Sequence, residues 1–492
     1  MPGLLARQDL SAFSALLTPK ARWGSARCCT DEPLHCALIA TAARSAPPAM
    51  PLFPQSALMP GVRKREVFGW AMYDFANSGY TTVVLTAVFS AYFVGGIAEG
   101  APWGTLAWTS ALALSSLIVM ITMPVIGAYA DLRAAKKRLL MLSTAGCVAA
   151  TAALAGAGPG DVAWALIAIV LSNVFYTYGD SLIASFLPEL AREDRMGSVS
   201  GWGWSFGYLG GMLTLGLSLA YVLSAQAKGL PASHFVPVTM LITAGVYGAA
   251  ALVTFALLKE RAQPQDGALD DAGMSASLAR LKRTWNEASS FPDFSALLVC
   301  SVAYQAGISV VIALAAVYAE QVLGFKQTET MILIFLVNIA AALGAFAWGY
   351  VQDRIGHRPA LAVTLAGWIV MIVLAALATG PGLFWVAAVI AGLCMGSSQS
   401  SGRALAGVLA PEARRAEFYG LWTFAIRLSA IIGPMTYGLV TWVADGNHRL
   451  AIVSTGLFFA AGLFLLTKVN VPRGIAAAMA ANGKRPAKAS AP

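Results

Sequence analysis

The sequence predicts an all-α integral membrane protein of twelve transmembrane helices, arranged as two pseudo-symmetric six-helix bundles. Three observations lead there. The 492 residues are 58% hydrophobic and only 12% charged, where a soluble domain carries about 25% charged residues. The apolar residues come in repeated runs of about twenty, each long enough to cross a ~30 Å hydrocarbon layer. Landmarks in the first half recur in the second at one nearly fixed offset.

The runs predict helices at about 67–95, 104–130, 136–157, 161–187, 197–224, 235–259, 291–320, 327–351, 359–379, 382–408, 414–443 and 448–469. The one long hydrophilic interruption, 260–290, divides them into a bundle at 61–259 and a second at 291–470. Residues 471–492 read as a disordered cytoplasmic tail. Residues 1–60 are rich in Pro, Ala, Ser and Arg, with Asp9, Asp31 and Glu32 as their only acids, and read as a disordered extension. Such a leader is either an organelle transit peptide or the product of a mis-assigned start with initiation near Met50 or Met59; its weak amphipathic period favours the second.

The net charge of +9 does not form a nucleic-acid surface, because the basic residues sit in short groups between apolar runs. With the N-terminal end inside, the inner segments after residue 60 hold 23 Lys and Arg, against Lys228, Lys326 and Arg449 outside. That asymmetry predicts both termini in the cytoplasm of a multi-pass protein of the bacterial inner membrane. Cys28, Cys29, Cys36, Cys147, Cys300 and Cys394 form no Cys-x-x-Cys, and His35, His234, His357 and His448 show no ligand spacing. No metal, cofactor or disulfide framework is expected. His-Glu-x-x-His is missing, which argues against an enzyme; so is the phosphate loop an ATP-driven pump needs.

The duplication is specific. Gly127 and Asp131, followed by Arg133, Lys136, Lys137 and Arg138, recur as Gly349 and Asp353 followed by Arg354 and Arg358, at an offset of 222. Pro188-Glu189 matches Pro411-Glu412, and Gly210 matches Gly433, each at 223. A common offset indicates parallel six-helix repeats.

Here the chain resembles the major facilitator superfamily, whose loop signature is the Gly-x-x-x-Asp-basic segment after helices two and eight. Leu132 stands where Arg commonly follows Asp, so the basic role is expected to pass to Arg133. A narrower resemblance is to the autophagy-related, vacuole-effluxer-like permeases and their bacterial relatives. It rests on Trp70–Ser78, on Phe186–Leu190 with Gly201–Gly211, and on Gln399–Arg403 with Glu417–Gly420 and Gly433-Pro434. It implies a secondary transporter of a small solute, an amino acid or otherwise, working by alternating access with a proton as candidate coupling ion. A lipid or lysolipid transporter and a non-transporting membrane sensor remain open on the same scaffold, and the oligomeric state, a monomer included, is left open.

A charge near a helix centre costs about 2.5–3.5 kcal/mol on insertion scales, so intramembrane ionisable residues are functional candidates. Four stand out: Asp74, Asp180, Arg403 and Arg427. Asp74, Asn77, Ser78 and Thr81 share one face of the first helix, either as an interhelical hydrogen-bond stripe or as lining of the solute path with Asp74 protonatable. Asp180 and Arg403 each lie eight residues before a repeat-related proline, at matched depth. They are expected either to form a structural salt bridge or separate local pairings, or to act directly in gating or in gripping a zwitterion. Arg427 faces either an anionic group or a neighbouring carboxylate; Gln305 and Gln399 are uncharged candidates for the same lining. Asp131 and Asp353 are expected to latch onto helix N-termini near Ala416 and Gly197 in the opposite half. Gly203, Gly207 and Gly211 form small-xxx-small steps for close packing of helix five.

Overall fold

The computed structural model describes residues 53–99, 101, 103–264, 291–325, 327–445 and 447–482. Among them are twelve helices long and apolar enough to cross a membrane. The first, α1, starts at Lys64–Tyr80 and continues through π-helical stretches Thr81–Ala87 and Phe93–Ile97 on either side of the turn Phe89–Tyr92. The others are α2 (Gly104–Arg133), α3 (Lys136–Ala153), α4 (Val162–Ala184), α5 (Met196–Ala227), α6 (Ala232–Leu257), α7 (Pro292–Leu323), α8 (Gln327–Ile355), α9 (His357–Leu377), α10 (Pro381–Leu409), α11 (Arg415–Val443) and α12 (His448–Leu466).

The chain punctuates these helices with ordinary backbone chemistry. Proline opens α7 and α10, where its missing N–H would have lacked a partner in any case. Gly324 ends α7 in the left-handed region at φ 68, and Gly356, at φ 88, makes the one-residue joint between α8 and α9.

Large apolar side chains point outward: Ile121, Leu142, Leu252 and Leu457 are between 64 and 71% exposed, as suits a hydrocarbon solvent. The interior instead carries small polar groups such as Ser115, Thr239 and Ser398, which let backbones approach and bond across helices. The repeat-related glycines do equivalent work. Gly210 of α5 lies against the Phe75 carbonyl of α1, and Gly433 of α11 against the Ala306 carbonyl of α7. Gly207 and Gly211 complete the α5 stripe against Ser78 and Thr82 of α1.

In the first half α1 packs on α5 and α6, and α4 on α2 and α3; in the second, α7 packs on α11 and α12, and α10 on α8 and α9. The halves meet along α2 with α11 and α5 with α8. Hydrogen bonds between the halves join Asp74, Asp131, Ser181 and residues 197–205 to residues 342–353, 400–403 and 417–423. All lie toward the end of the bundle that carries the basic loops.

Two boundary expectations are corrected. Residues 1–52 and 265–290 lie outside the described residues, but Gln55–Ala57 form a 3-10 turn and Ala57, Leu58 and Val62 are buried. Met59 N–H donates to the Leu190 carbonyl at 3.0 Å and Arg192 N–H to the Ala57 carbonyl at 3.0 Å. Backbone pairing, to which apolar periodicity is blind, orders this segment. The expected disordered tail begins as a helix, α13 (Val471–Ala481). Asn470 caps it, its side chain accepting the Arg473 N–H at 3.1 Å. Arg473 then closes on the buried Asp293 of α7, Nε to Oδ2 at 2.8 Å and Nη2 to Oδ1 at 2.8 Å.

Candidate functional site

At the basic end each half holds on to the other. The last turn of α2 brings Gly127 against the Ala416 carbonyl, with no room for a Cβ. Asp131, buried four residues on, accepts the Glu417 N–H at the start of α11 at 2.9 Å. The second copy repeats this: Gly349 lies against Gly197, and Asp353 accepts the N–H groups of Gly197 at 2.9 Å and Ser198 at 3.1 Å, at the start of α5. Both expected contacts with helix N-termini are present. A carboxylate there meets unpaired N–H groups and the positive end of the helix dipole.

The Arg133 guanidinium lies over the Tyr129 ring at 6.0 Å. Asp131 pairs with Lys136, buried, with Nζ 3.4 Å from Asp131 and 2.9 Å from Glu189. The chain turns back through Ala134 in the left-handed region, φ 49, so the first residue of α3 faces the carboxylate. Glu260 caps α3 in turn, accepting the N–H groups of Lys136 at 2.7 Å and Lys137 at 3.1 Å. Partial burial pushes the Glu260 carboxyl above its ordinary range, against the pull of those two N–H groups. In the second copy Arg354 and Arg358 are exposed, and Arg358 donates to the Thr467 carbonyl at 3.2 Å.

Deeper in the bundle, Arg403 of α10 crosses to the first half. Its Nη1 donates to Asp74 Oδ2 at 2.7 Å, its Nε to Ser200 Oγ at 3.2 Å and its Nη2 to the Ser200 carbonyl at 2.8 Å. The Trp70 and Trp204 rings flank the guanidinium at 4.8 and 5.3 Å, a cation–π arrangement on both sides. Gly203 makes the approach possible: a Cβ there would stand 2.6 Å from Arg403 Nη2. Of the expected structural arrangements of Arg403 and Asp180, the structure has separate local pairings and not a bridge between the two. The two share a depth, but α10 runs along α8 and α5 whereas α4 runs along α2 and α3, and Asp74 of α1 is the carboxylate in reach.

Asp180 accepts instead from Asn77 Nδ2 at 3.3 Å, and Asn77 Oδ1 takes the Tyr247 hydroxyl at 2.6 Å. Tyr73 extends this network to Thr144 at 2.9 Å. Of the α1 stripe, Ser78 and Thr81 turn their hydroxyls back to the helix, donating to the carbonyls of Asp74 at 3.1 Å and Ser78 at 3.0 Å. Gln305 Nε2 donates to Gln399 Oε1 at 2.9 Å, joining α7 to α10. Arg427 of α11 is half-buried, its Nε without a hydrogen-bond partner among the described residues. Its charge acts on Asp180, Tyr80 and Tyr176. Trp204 and Ser200 are the members of this site that sequence reasoning missed; both lie in or beside the quoted Gly201–Gly211 segment.

Residues 108–479 match the family described as "Vacuole effluxer Atg22 like". An uncharacterized MFS-type transporter, YxiO of Bacillus subtilis (strain 168), is 26% identical over 405 residues, 81% of this chain and 94% of that protein. Autophagy-related protein 22-1 of Penicillium rubens is 25% identical over 301 residues, 56% of this chain and 49% of that one. Among solved structures, the human organic anion transporter MFSD10 aligns with TM-score 0.64 at 16% identity, over 82% of this chain and 99% of that chain. The proton:xylose symporter XylE aligns with TM-score 0.66 at 15% identity, over 82% and 95%. With the fold and both sequence repeats in agreement, the chain belongs to the vacuole effluxer Atg22-like family, a branch of the major facilitator transporters.

Proposed function

We propose that this chain is a secondary active permease that carries a small solute, an amino acid, by alternating access, with a proton as the coupling ion. One observation carries the reading: the hydrogen bonds between the halves gather at the basic end, so the described conformation is held shut on one side. By the distribution of Lys and Arg that side is the cytoplasm of a bacterial cell, which makes the conformation outward-facing. Asp74 is the proposed proton acceptor, since neutralising its carboxylate removes the counter-charge of Arg403. Counterflow of labelled amino acids in proteoliposomes, with and without a pH gradient, tests this. Exchange of amino acids that a pH gradient accelerates is expected; a reconstituted protein that exchanges none overturns the reading.

Two further outcomes are expected. A cysteine placed at Ser275 is labelled by an impermeant thiol reagent only after the cells are opened; labelling of intact cells reverses the orientation. Asp131→Asn and Asp353→Asn together weaken both latches, each a set of charge-assisted bonds contributing about 1.5–3 kcal/mol. Reaction of a cysteine at the buried Ser400 with a reagent added from the basic side should rise about tenfold or more. Unchanged accessibility together with unchanged transport rate removes the latch role.

A further inference from the structure

Where the start of α1 meets the end of α6, at the basic end of the first half, lies a small cavity that neither the latches nor the intramembrane charges account for. Its volume is about 150 Å³; Arg63, Arg65 and Glu66 line it from α1, Ala256 and Leu257 from α6, and Lys259 from just beyond α6. Gly69 sets how near the two helices come. A Cβ there would stand 2.6 Å from Leu257 Cβ, so the bare glycine lets α6 close on α1 and brings Lys259 to the first turn of α1.

The charges around the cavity do not balance. Glu66 is buried and already answered: Arg261 Nη1 donates to its Oε1 and Nη2 to its Oε2, the second at 2.8 Å, and the Lys259 N–H donates to Oε1 at 3.4 Å. Among the described residues, the side chains of Arg63, Arg65 and Lys259 make no hydrogen bond and no ion pair. Three cations therefore surround one hollow with no anion left for them. Their placement is selective, since Lys64, between the two arginines, is exposed and forms no part of the wall.

Size and chemistry narrow the occupant. At about 150 Å³ the cavity is smaller than the about 300–1,000 Å³ of sites for drug-sized molecules, and its cations call for a compact anion with several oxygens. Guanidinium forks match the paired oxygens of a phosphate, and an ammonium adds a point charge. The cavity also opens toward lipid. Ala256 in its wall is exposed, and Leu252, one turn back on the same face of α6, is 68% exposed. Cytoplasmic leaflets carry anionic lipid that juxtamembrane basic groups attract.

We infer that this cavity binds the phosphate group of an anionic phospholipid, its oxygens held by Arg63, Arg65 and Lys259 and its acyl chain laid along Ala256 and Leu252. The bound headgroup ties the first helix to the sixth.

The test uses purified full-length protein in an uncharged detergent, with dioleoylphosphatidylglycerol, dioleoylphosphatidylcholine and inorganic phosphate as probes. Phosphatidylglycerol is expected to raise the melting temperature saturably, because a ligand of the folded form stabilises it by mass action. Phosphatidylcholine, whose ammonium offsets its phosphate, should leave it unchanged. Inorganic phosphate, lacking the acyl chain, should act only at concentrations about 100-fold higher or more. Arg63→Gln, Arg65→Gln and Lys259→Gln should each weaken the apparent affinity for phosphatidylglycerol about tenfold, the worth of one charged hydrogen bond, and keep the unliganded melting temperature. Lys64→Gln should weaken it less than about fivefold, the worth of a charge merely near a membrane surface. Equal losses from Lys64→Gln and the two arginine variants overturn the site, since a diffuse basic surface would then suffice. Inorganic phosphate acting at the same concentration as the lipid overturns the lipid as its source, and a shift from phosphatidylcholine as large as from phosphatidylglycerol overturns the anion. If the glutamine variants fail to fold, native mass spectrometry of the wild type decides: one phosphatidylglycerol retained per chain in preference to phosphatidylcholine is expected, and retention of neither or of both alike overturns the assignment.

Discussion

Asp74→Asn is expected to lower stability by about 3–5 kcal/mol, because it leaves the Arg403 guanidinium, only 2% exposed, without a counter-charge. Arg403→Gln should cost a similar amount by stranding the carboxylate. The double variant Asp74→Asn/Arg403→Gln should be less damaging than the two costs added, since two neutral amides can bond to each other across the same 2.7 Å contact. The coupling energy from this double-mutant cycle, measured by denaturation in one detergent, separates a true pair from two residues that matter independently. Additive effects contradict the pairing. A single-variant cost below about 1 kcal/mol, the range of exposed pairs, contradicts its burial. Transport should be lost in either single variant, since the pair ties α1 to α10 across the two halves.

Gly349→Val is expected to stop transport with only a modest loss of stability. A Cβ at Gly349 would stand 2.6 Å from the Gly197 carbonyl oxygen and 2.9 Å from Ser198 Cα. Both are backbone atoms that cannot swing away as a side chain would. Overpacking at such a contact costs about 1–3 kcal/mol or more, and the penalty falls on the conformation in which α5 and α8 touch. The population of that conformation should fall by about 10- to 100-fold, with the Ser400 cysteine exposed to match. Gly127→Val, whose Cβ would meet the Ala416 carbonyl, should behave alike from the other repeat. Counterflow within twofold of wild type in both variants would mean that the two faces need not close.

Much of this architecture can be read from the chain alone, for physical reasons. A span across hydrocarbon needs a run of apolar residues that no loop would carry, so all twelve helices announce themselves. The duplicated Gly and Asp of each latch are legible because they obey a local rule, a small residue one turn before a carboxylate, and do so twice. What cannot be read is which charge meets which. Arg403 and Asp180 hold equivalent places in the repeats, yet adjacency is decided by how twelve helices are arranged around each other. That arrangement put Asp74 within reach of Arg403 and left Asp180 to Asn77. Lys136 is visible only as one of a basic group after Asp131, because it is the turn at Ala134 that rotates the chain and brings a residue outside the usual motif position inward. The tail helix had its signals, a capping Asn470 and Pro472 in the first turn, but its alanine-rich, lysine-poor stretch before residue 482 was merged with the basic terminus that follows.

The Asp74–Arg403 pair links residues 329 positions apart in the chain, and this has a consequence for biosynthesis. A ribosome adding about 5–20 residues per second needs on the order of 15–65 s to reach α10 after it has made α1. Through that interval the first helix to enter the bilayer holds a carboxylate whose partner does not yet exist. Either it stays protonated or it shelters against the insertion machinery until the tenth helix arrives. A chain interrupted before α10 should therefore give a first helix that is released into lipid poorly, a defect that Asp74→Asn would relieve in the fragment even as it destabilises the finished protein.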